Sequence, residues 1–180
     1  MSRKALIVID AQQSFRHSTY WSENDLPAYL EKQQALIDGC VQQGIPVVQV
    51  FHVEEQGHFS MASGNVRTLS ELSINPDLII HKRHHSAFAG TPLAARLTQM
   101  GVTSLIISGI RTEQCCETTT RHGSDSGFSV DFVSEATLTF PMAYSRSGRV
   151  YSVAEIRECT ELVLEDRFAR IVTVAEALER

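Results

Sequence analysis

Three side chains of complementary chemistry stand close behind apolar runs. Asp10 directly follows Ala5-Leu6-Ile7-Val8-Ile9, Lys82 directly follows Leu78-Ile79-Ile80-His81, and Cys115 comes shortly after the apolar stretch 103–108. A carboxylate, an ammonium and a thiol can together form a nucleophile, its proton acceptor and a stabilising charge. The thiolate is the reactive form, and an unperturbed cysteine with a pKa near 8.5 is only about 3% thiolate at neutral pH. Cys115 lies in Gly109-Ile110-Arg111-Thr112-Glu113-Gln114-Cys115. With Thr112 as N-cap, Cys115 falls in the first turn of a helix, where the macrodipole and unpaired N–H groups favour an anion. That setting, with Lys82 as a neighbouring cation, predicts a lowered thiol pKa, and the same N–H groups suit a tetrahedral oxyanion. Each residue also has an ordinary reading: Cys115 as a small core residue, Asp10 as a helix cap or ion-pair partner, Lys82 as a surface lysine.

The elements that must position these groups can be read from periodicity and punctuation. Short apolar runs at 5–9, 46–52, 78–81, 103–108 and 128–133 read as strands, with a sixth, edge strand at 170–174. Between them, 26–43 carries a helical stripe ended by Gly44; 91–100 is a helix with Thr91 as N-cap, Pro92 at the first turn and Gly101 as terminator; Val153–Leu164 is a further helix. Strands alternating with helices specify βαβ units and a mostly parallel six-stranded sheet covered on both faces. The expectation is one domain over 1–180 with a three-layer α/β/α, Rossmann-like architecture. Ligands of such sheets bind outside the carboxyl ends of the strands, which is where Asp10, Lys82 and Cys115 fall. Two long irregular segments, 14–25 and 53–75, hold Phe15, His17, Tyr20, Trp21, His58 and Phe59 and would suit a pocket wall. The segment 112–126 is rich in Thr, Ser and charge, so one flank is expected to pack closely on something, a second subunit included.

Composition narrows the classes. The 180 residues carry a net charge of −5 with 43% hydrophobic and 21% charged side chains, a globular balance that disfavours nucleic acid and anionic membrane as partners. No apolar run approaches the roughly 18 residues of a membrane span, and residues 5–9 are too short for an export signal, so a cytoplasmic location with reduced thiols is expected. Of the four cysteines, Cys40 and Cys159 lie in helical patterns and are expected in the core; none has CxxC spacing. Cys116 is rotated about 100° from Cys115 on a helix and should pack inward.

The chain resembles the isochorismatase-like cysteine hydrolases, a superfamily that includes nicotinamidases, N-carbamoylsarcosine amidase and ureidoacrylate hydrolases. The likeness is carried by 5–15 (ALIVIDAQQSF), by Lys82, Ser86-Ala87-Phe88 and Thr91-Pro92-Leu93, by Gly109-Ile110-Arg111-Thr112-Glu113-Gln114-Cys115-Cys116-Glu117-Thr118, and by Gly127 and Ser134-Glu135-Ala136-Thr137. The resemblance implies strand order 3-2-1-4-5-6, a catalytic triad of Asp10, Lys82 and Cys115, an oxyanion hole from the backbone of Arg111 and Cys115, and a cis Ile110–Arg111 peptide. It also implies a homodimer or larger assembly. Candidate substrate-pocket residues are Phe15, Trp21, His52, Phe88 and Arg111.

Two departures matter. Position 111 is commonly small in this family; here a cationic Arg111 could read a substrate carboxylate or bind protein instead. Metal-binding nicotinamidases carry Asp-x-His at the end of the second strand, whereas this chain has Val50-Phe51-His52. No metal is therefore expected, although His52, Glu54 and His58 could collect one by another geometry; the His81, His84 and His85 cluster is a weaker candidate. The expectation is a cofactor-free hydrolase that cleaves a C–N bond of a small amide or ureido compound through a thioester. Its rivals are a vinyl-ether hydrolase acting on an isochorismate-like acid, a non-catalytic binding protein on the same fold, and a thiol redox protein using Cys115 and Cys116.

Overall fold

Strand β1 (Lys4–Ile9) runs through the middle of the molecule and sends its side chains alternately to two cores. Leu6 and Val8 enter one core with Leu36, Ile37, Ile106 and Val133. Ala5, Ile7 and Ile9 enter the other with Leu93, Leu97, Leu105, Ile107 and Phe132. A strand buried on both faces has no polar side to alternate, which is why it reads as a continuous apolar run. The computed structural model describes residues 3–179.

In chain order, α1 (Leu26–Gln42), β2 (Val47–His52), β3 (Leu78–Lys82), α2 (Leu93–Gln99), β4 (Ser104–Ile110), α3 (Glu117–Asp125) and β5 (Ser129–Leu138) follow β1. A two-stranded hairpin, β6 (Met142–Ala143) with β7 (Val150–Tyr151), then leads to α4 (Val153–Leu164), β8 (Arg170–Ile171) and α5 (Val174–Ala177). The six-stranded sheet has the order β3-β2-β1-β4-β5-β8, and its ladders are parallel. This is the expected 3-2-1-4-5-6 arrangement, its sixth strand being β8, with helices on both faces.

Several boundaries differ from the sequence reading. The edge strand covers two residues because Thr173 leaves the sheet to cap α5, its side chain accepting from Glu176 N. β5 runs on past Val133 to Leu138, with a register shift against β4 between Ile107 and Gly109 that absorbs the polar residues Ser134 and Glu135. The hairpin was not anticipated. α2 begins at Leu93, because the Thr91 hydroxyl binds back to Ala87 O at 2.5 Å and holds the preceding residues in a turn. Thr112 is not an N-cap: the chain passes from β4 into a π-helical turn, Thr112–Cys116, whose N-cap is Arg111. The small residues of α3 pack within the chain, where a Cβ on Gly123 would lie 2.9 Å from Leu105 Cδ1 and 3.3 Å from Phe88. The close contact expected along this helix is thus with its own sheet.

Candidate active site

The ends of β1, β3 and β4 converge. Asp10 leaves β1 in a left-handed backbone conformation, φ 49°, which is uncommon for a residue with a side chain. Its N–H still donates to Val50 O at 2.9 Å, so the turn begins without breaking the sheet. β4 can lie close beside it only because residue 109 is glycine: φ is +125°, and a Cβ there would sit 1.9 Å from Ile9 O. Beyond Gly109 the chain passes through a cis Ile110–Arg111 peptide into the π-helical turn that carries Cys115. Thr112 Oγ1 lies 2.7 Å from Thr137 Oγ1. Because Thr137 donates to Ser134 O, Thr112 is the donor, and this bond ties the turn to β5. On the other side, Lys82 is the last residue of β3 and lies opposite His52 in the register with β2.

The three expected side chains meet. Lys82 Nζ is 2.7 Å from Asp10 Oδ2 and 3.2 Å from Cys115 Sγ. Asp10 and Lys82 have fully buried side chains, and Cys115 is 7% exposed. Burial alone would lower the Lys82 pKa, but Asp10 and the Cys115 sulfur outweigh it and hold the ammonium above its ordinary value. The thiol behaves opposite to the sequence expectation. Burial first, and then the Asp10 charge, push Cys115 up to about 12, against the lowering influence of Lys82. One cation cannot offset two anions in a buried site, so with Asp10 ionised the resting proton stays on sulfur.

The candidate pocket residues divide. Phe15 is buried and meets Phe59 edge-on, with ring centroids 5.0 Å apart; Phe59 in turn meets His52 at 5.8 Å. The irregular segments 14–25 and 53–75 thus pack on each other beside Lys82, with His17 stacked on His58 at 4.1 Å. Trp21 and Tyr20 both pack on Phe140, at 5.3 and 5.4 Å. The Arg111 guanidinium lies 4.6 Å from the Tyr20 ring centroid and 5.7 Å from that of Phe140, and it is ion-paired with Glu113 at 2.8 Å. Its charge is therefore balanced inside the chain and anchors the Tyr20 loop, which leaves little reason for it to read a substrate carboxylate. Phe88 does not join this group; it packs against His122 and Phe128 beneath α3.

Cys159 is not in the core. It is exposed, because α4 turns it outward into a cleft of about 530 Å³ shared with Met142, Tyr144, Tyr151 and Val163. Cys40 and Cys116 are fully buried as expected. Cys115 does not line that cleft.

The residues present do not fit a metal site of the kind known in nicotinamidases. Val50 is apolar and fully buried. His52 turns Nδ1 toward Lys82 at 3.2 Å, and His58 stacks on His17. Among the described residues no three His, Cys, Asp or Glu side chains converge to hold an ion.

Sequence reasoning missed Gln12, which is completely buried. Its Oε1 accepts from His52 N at 2.8 Å, while its Nε2 donates to His52 O at 3.1 Å and to Ser14 Oγ at 2.9 Å. The available signal was an amide two residues beyond Asp10, facing a strand end with no backbone partner left. Glu113 and Phe140 also escape the sequence, because nothing in it tells which of its two open readings Arg111 takes or which protein groups would receive it.

Comparison with known proteins agrees with this architecture. Residues 4–176 match the family model of the Isochorismatase domain. The chain belongs to the isochorismatase family, whose members are hydrolases. It is 28% identical over 179 residues to the isochorismatase family protein YrdC of Bacillus subtilis (strain 168), covering 98% of this chain and 95% of that one. The crystal structure of an isochorismatase from Pseudomonas putida KT2440 superposes with a TM-score of 0.87 at 26% identity, covering 97% of this chain and 89% of that one. A shorter match, 43% identical over 65 residues, links 36% of this chain to 33% of Nicotinamidase 3 of Arabidopsis thaliana. Among the described residues no helix is long and apolar enough to cross a membrane.

Proposed function

We propose that the chain is a cysteine hydrolase that cleaves a C–N bond of a small amide or ureido compound through a thioester. The observation that carries this reading is the single buried ammonium of Lys82 set between Asp10 Oδ2 at 2.7 Å and Cys115 Sγ at 3.2 Å. The partial matches to Nicotinamidase 3 and to the ureidoacrylate amidohydrolase RutB, at 43% identity over 65 and 47 residues, favour an amide-type bond.

Asp10 takes the thiol proton as sulfur attacks the substrate carbonyl, so the buried charge remains balanced: a neutral acid, an ammonium and a thiolate in place of a carboxylate, an ammonium and a thiol. The oxyanion of the tetrahedral intermediate is received by the backbone N–H groups of Arg111 and Cys115 at the start of the helical turn. Collapse breaks the C–N bond, and the amine leaves with the proton from Asp10. Water then attacks the thioester carbonyl and gives one proton to Asp10. The thiolate leaves, recovers that proton, and the carboxylic acid is released. No cofactor enters the cycle, and Lys82 remains an ammonium throughout.

The test is a screen of small amides and ureides for ammonia release, followed by Cys115→Ala. Turnover abolished in Cys115→Ala and retained in Cys116→Ala supports the assignment. With a slow substrate, intact mass spectrometry should show an acyl adduct on the Cys115 peptide. An adduct on Cys116, or normal turnover in Cys115→Ala, overturns it.

A further inference from the structure

We propose that His52 is a positioning residue for Lys82: its Nδ1 accepts the third ammonium N–H and so fixes which way the other two point. A lysine ammonium has three N–H groups and accepts nothing. Around Lys82 Nζ stand three acceptors, Asp10 Oδ2 at 2.7 Å, Cys115 Sγ at 3.2 Å and His52 Nδ1 at 3.2 Å. Lys82 is 1% exposed, so no N–H of it can turn to bulk water. Without His52 the head group would keep two partners and gain a freedom of rotation that the reaction does not tolerate.

The imidazole is held for this task. Lys82 can only donate, so Nδ1 must be the unprotonated nitrogen and the proton sits on Nε2. Nε2 faces Glu54 Oε1 at 3.5 Å, an orientation consistent with that tautomer. The backbone of His52 is clamped at both N–H and C=O by the Gln12 amide, and the ring lies edge-on to Phe59 at 5.8 Å. The charged groups facing the ring are Lys82 from β3, Asp10 from the end of β1 and Glu54 from beyond β2. Burial and the nearby Lys82 charge together keep His52 neutral below its ordinary pKa, against the pull of Asp10 and Glu54. Protonation would remove the acceptor and set a second cation beside the first.

The kinetic consequence of this assignment rests on the hydrolase reading above; the hydrogen bond does not. The experiment therefore has two readouts. Two-bond 1H–15N spectra of the histidine side chains in the substrate-free protein, with His52 identified by its loss in His52→Asn, should show the Nε2–H tautomer. The Nδ1 resonance should move toward that of an unbonded imidazole nitrogen in Lys82→Met. If the single variant does not fold, Asp10→Asn/Lys82→Met carries the same comparison. An Nδ1–H tautomer, or no response to loss of Lys82, overturns the proposal.

In kinetics, His52→Leu should lower kcat about tenfold with little change in KM, the size expected for one lost hydrogen bond to a charged group. His52→Asn places Oδ1 where Nδ1 was and should restore most of that loss. Equal loss in both, or a change confined to KM, indicates a substrate contact or a packing role and overturns it. Turnover retained in Cys115→Ala removes the hydrolase reading while leaving the spectroscopic result standing.

Discussion

Substrate-free protein treated with iodoacetamide should label Cys159 first and Cys115 slowly. Cys159 is exposed, whereas Cys115 is 7% exposed and its thiol is pushed up to about 12. At pH 7.5 a thiol of pKa about 12 is roughly 0.003% thiolate, against about 10% for an ordinary cysteine. That is a difference of roughly 3,000-fold before access is considered. The Cys115 rate should climb about tenfold per pH unit with no plateau up to pH 10. The sign of the charge effects gives a sharper test. Asp10 raises the thiol and Lys82 lowers it, so Asp10→Asn should speed alkylation while abolishing turnover, and Lys82→Met should slow both. Peptide mapping by mass spectrometry gives the order of labelling in the wild-type chain and, over a pH series in a Cys159→Ser background, the Cys115 rate; turnover is read separately by ammonia release. A Cys115 rate that levels off below pH 9, or an Asp10→Asn variant that alkylates more slowly, would refute the view that burial and Asp10 hold the proton on sulfur.

Lys82→Met strands a buried carboxylate and should cost about 3–5 kcal/mol in urea unfolding, part of which Asp10→Asn/Lys82→Met should recover. Gly109→Ala, with its Cβ 1.9 Å from Ile9 O, should leave no soluble folded protein or lose more than about 4 kcal/mol. Exhaustive chelation should leave turnover unchanged, and an apo preparation that is dead and revived by zinc or iron contradicts the reading of Val50. Because Arg111 is paired with Glu113, Arg111→Ala should affect a carboxylate-bearing substrate and its neutral analogue alike; a KM rise confined to the anionic one shows that the side chain does read charge. We also propose a homodimer or larger assembly, to which the exposed Met142, Tyr144, Val150, Leu162 and Val163 would contribute apolar surface; light scattering at the monomer mass at micromolar concentration counts against it.

The buried strands were readable because a parallel sheet covered on both faces leaves no room for polar alternation, and the convergence of Asp10, Lys82 and Cys115 was readable because two of them stand at strand ends and the third on the turn just beyond one. Local signals failed where long-range partners decide. Thr112 looks like a cap, yet its hydroxyl is taken up by Thr137, 25 residues on. Phe88 sits in a segment the family likeness made conspicuous, but the glycine that receives it, Gly123, lies on another element. Cys159 shares the helical stripe of α4 but falls on its outer side. The thiol was misjudged because a helix terminus and a lysine were counted without the burial or the carboxylate that outweigh them. No periodicity reports how deeply a strand end will be covered by loops.

Gln12 gives the sheet a second kind of seam. Its side-chain amide offers His52 the donor and acceptor that a residue of β1 would have offered had the strand continued. The main chain can therefore turn away at Asp10 and pack against segment 53–75 while the ladder beside β2 remains hydrogen-bonded. The loop beyond Ser14 then carries none of the bonds that close this strand end. Its length and sequence can change without unzipping the strands that hold Asp10, Lys82 and Cys115. On the function proposed above, such a proxy at the strand end lets the loop vary the compounds admitted while the chemistry stays fixed.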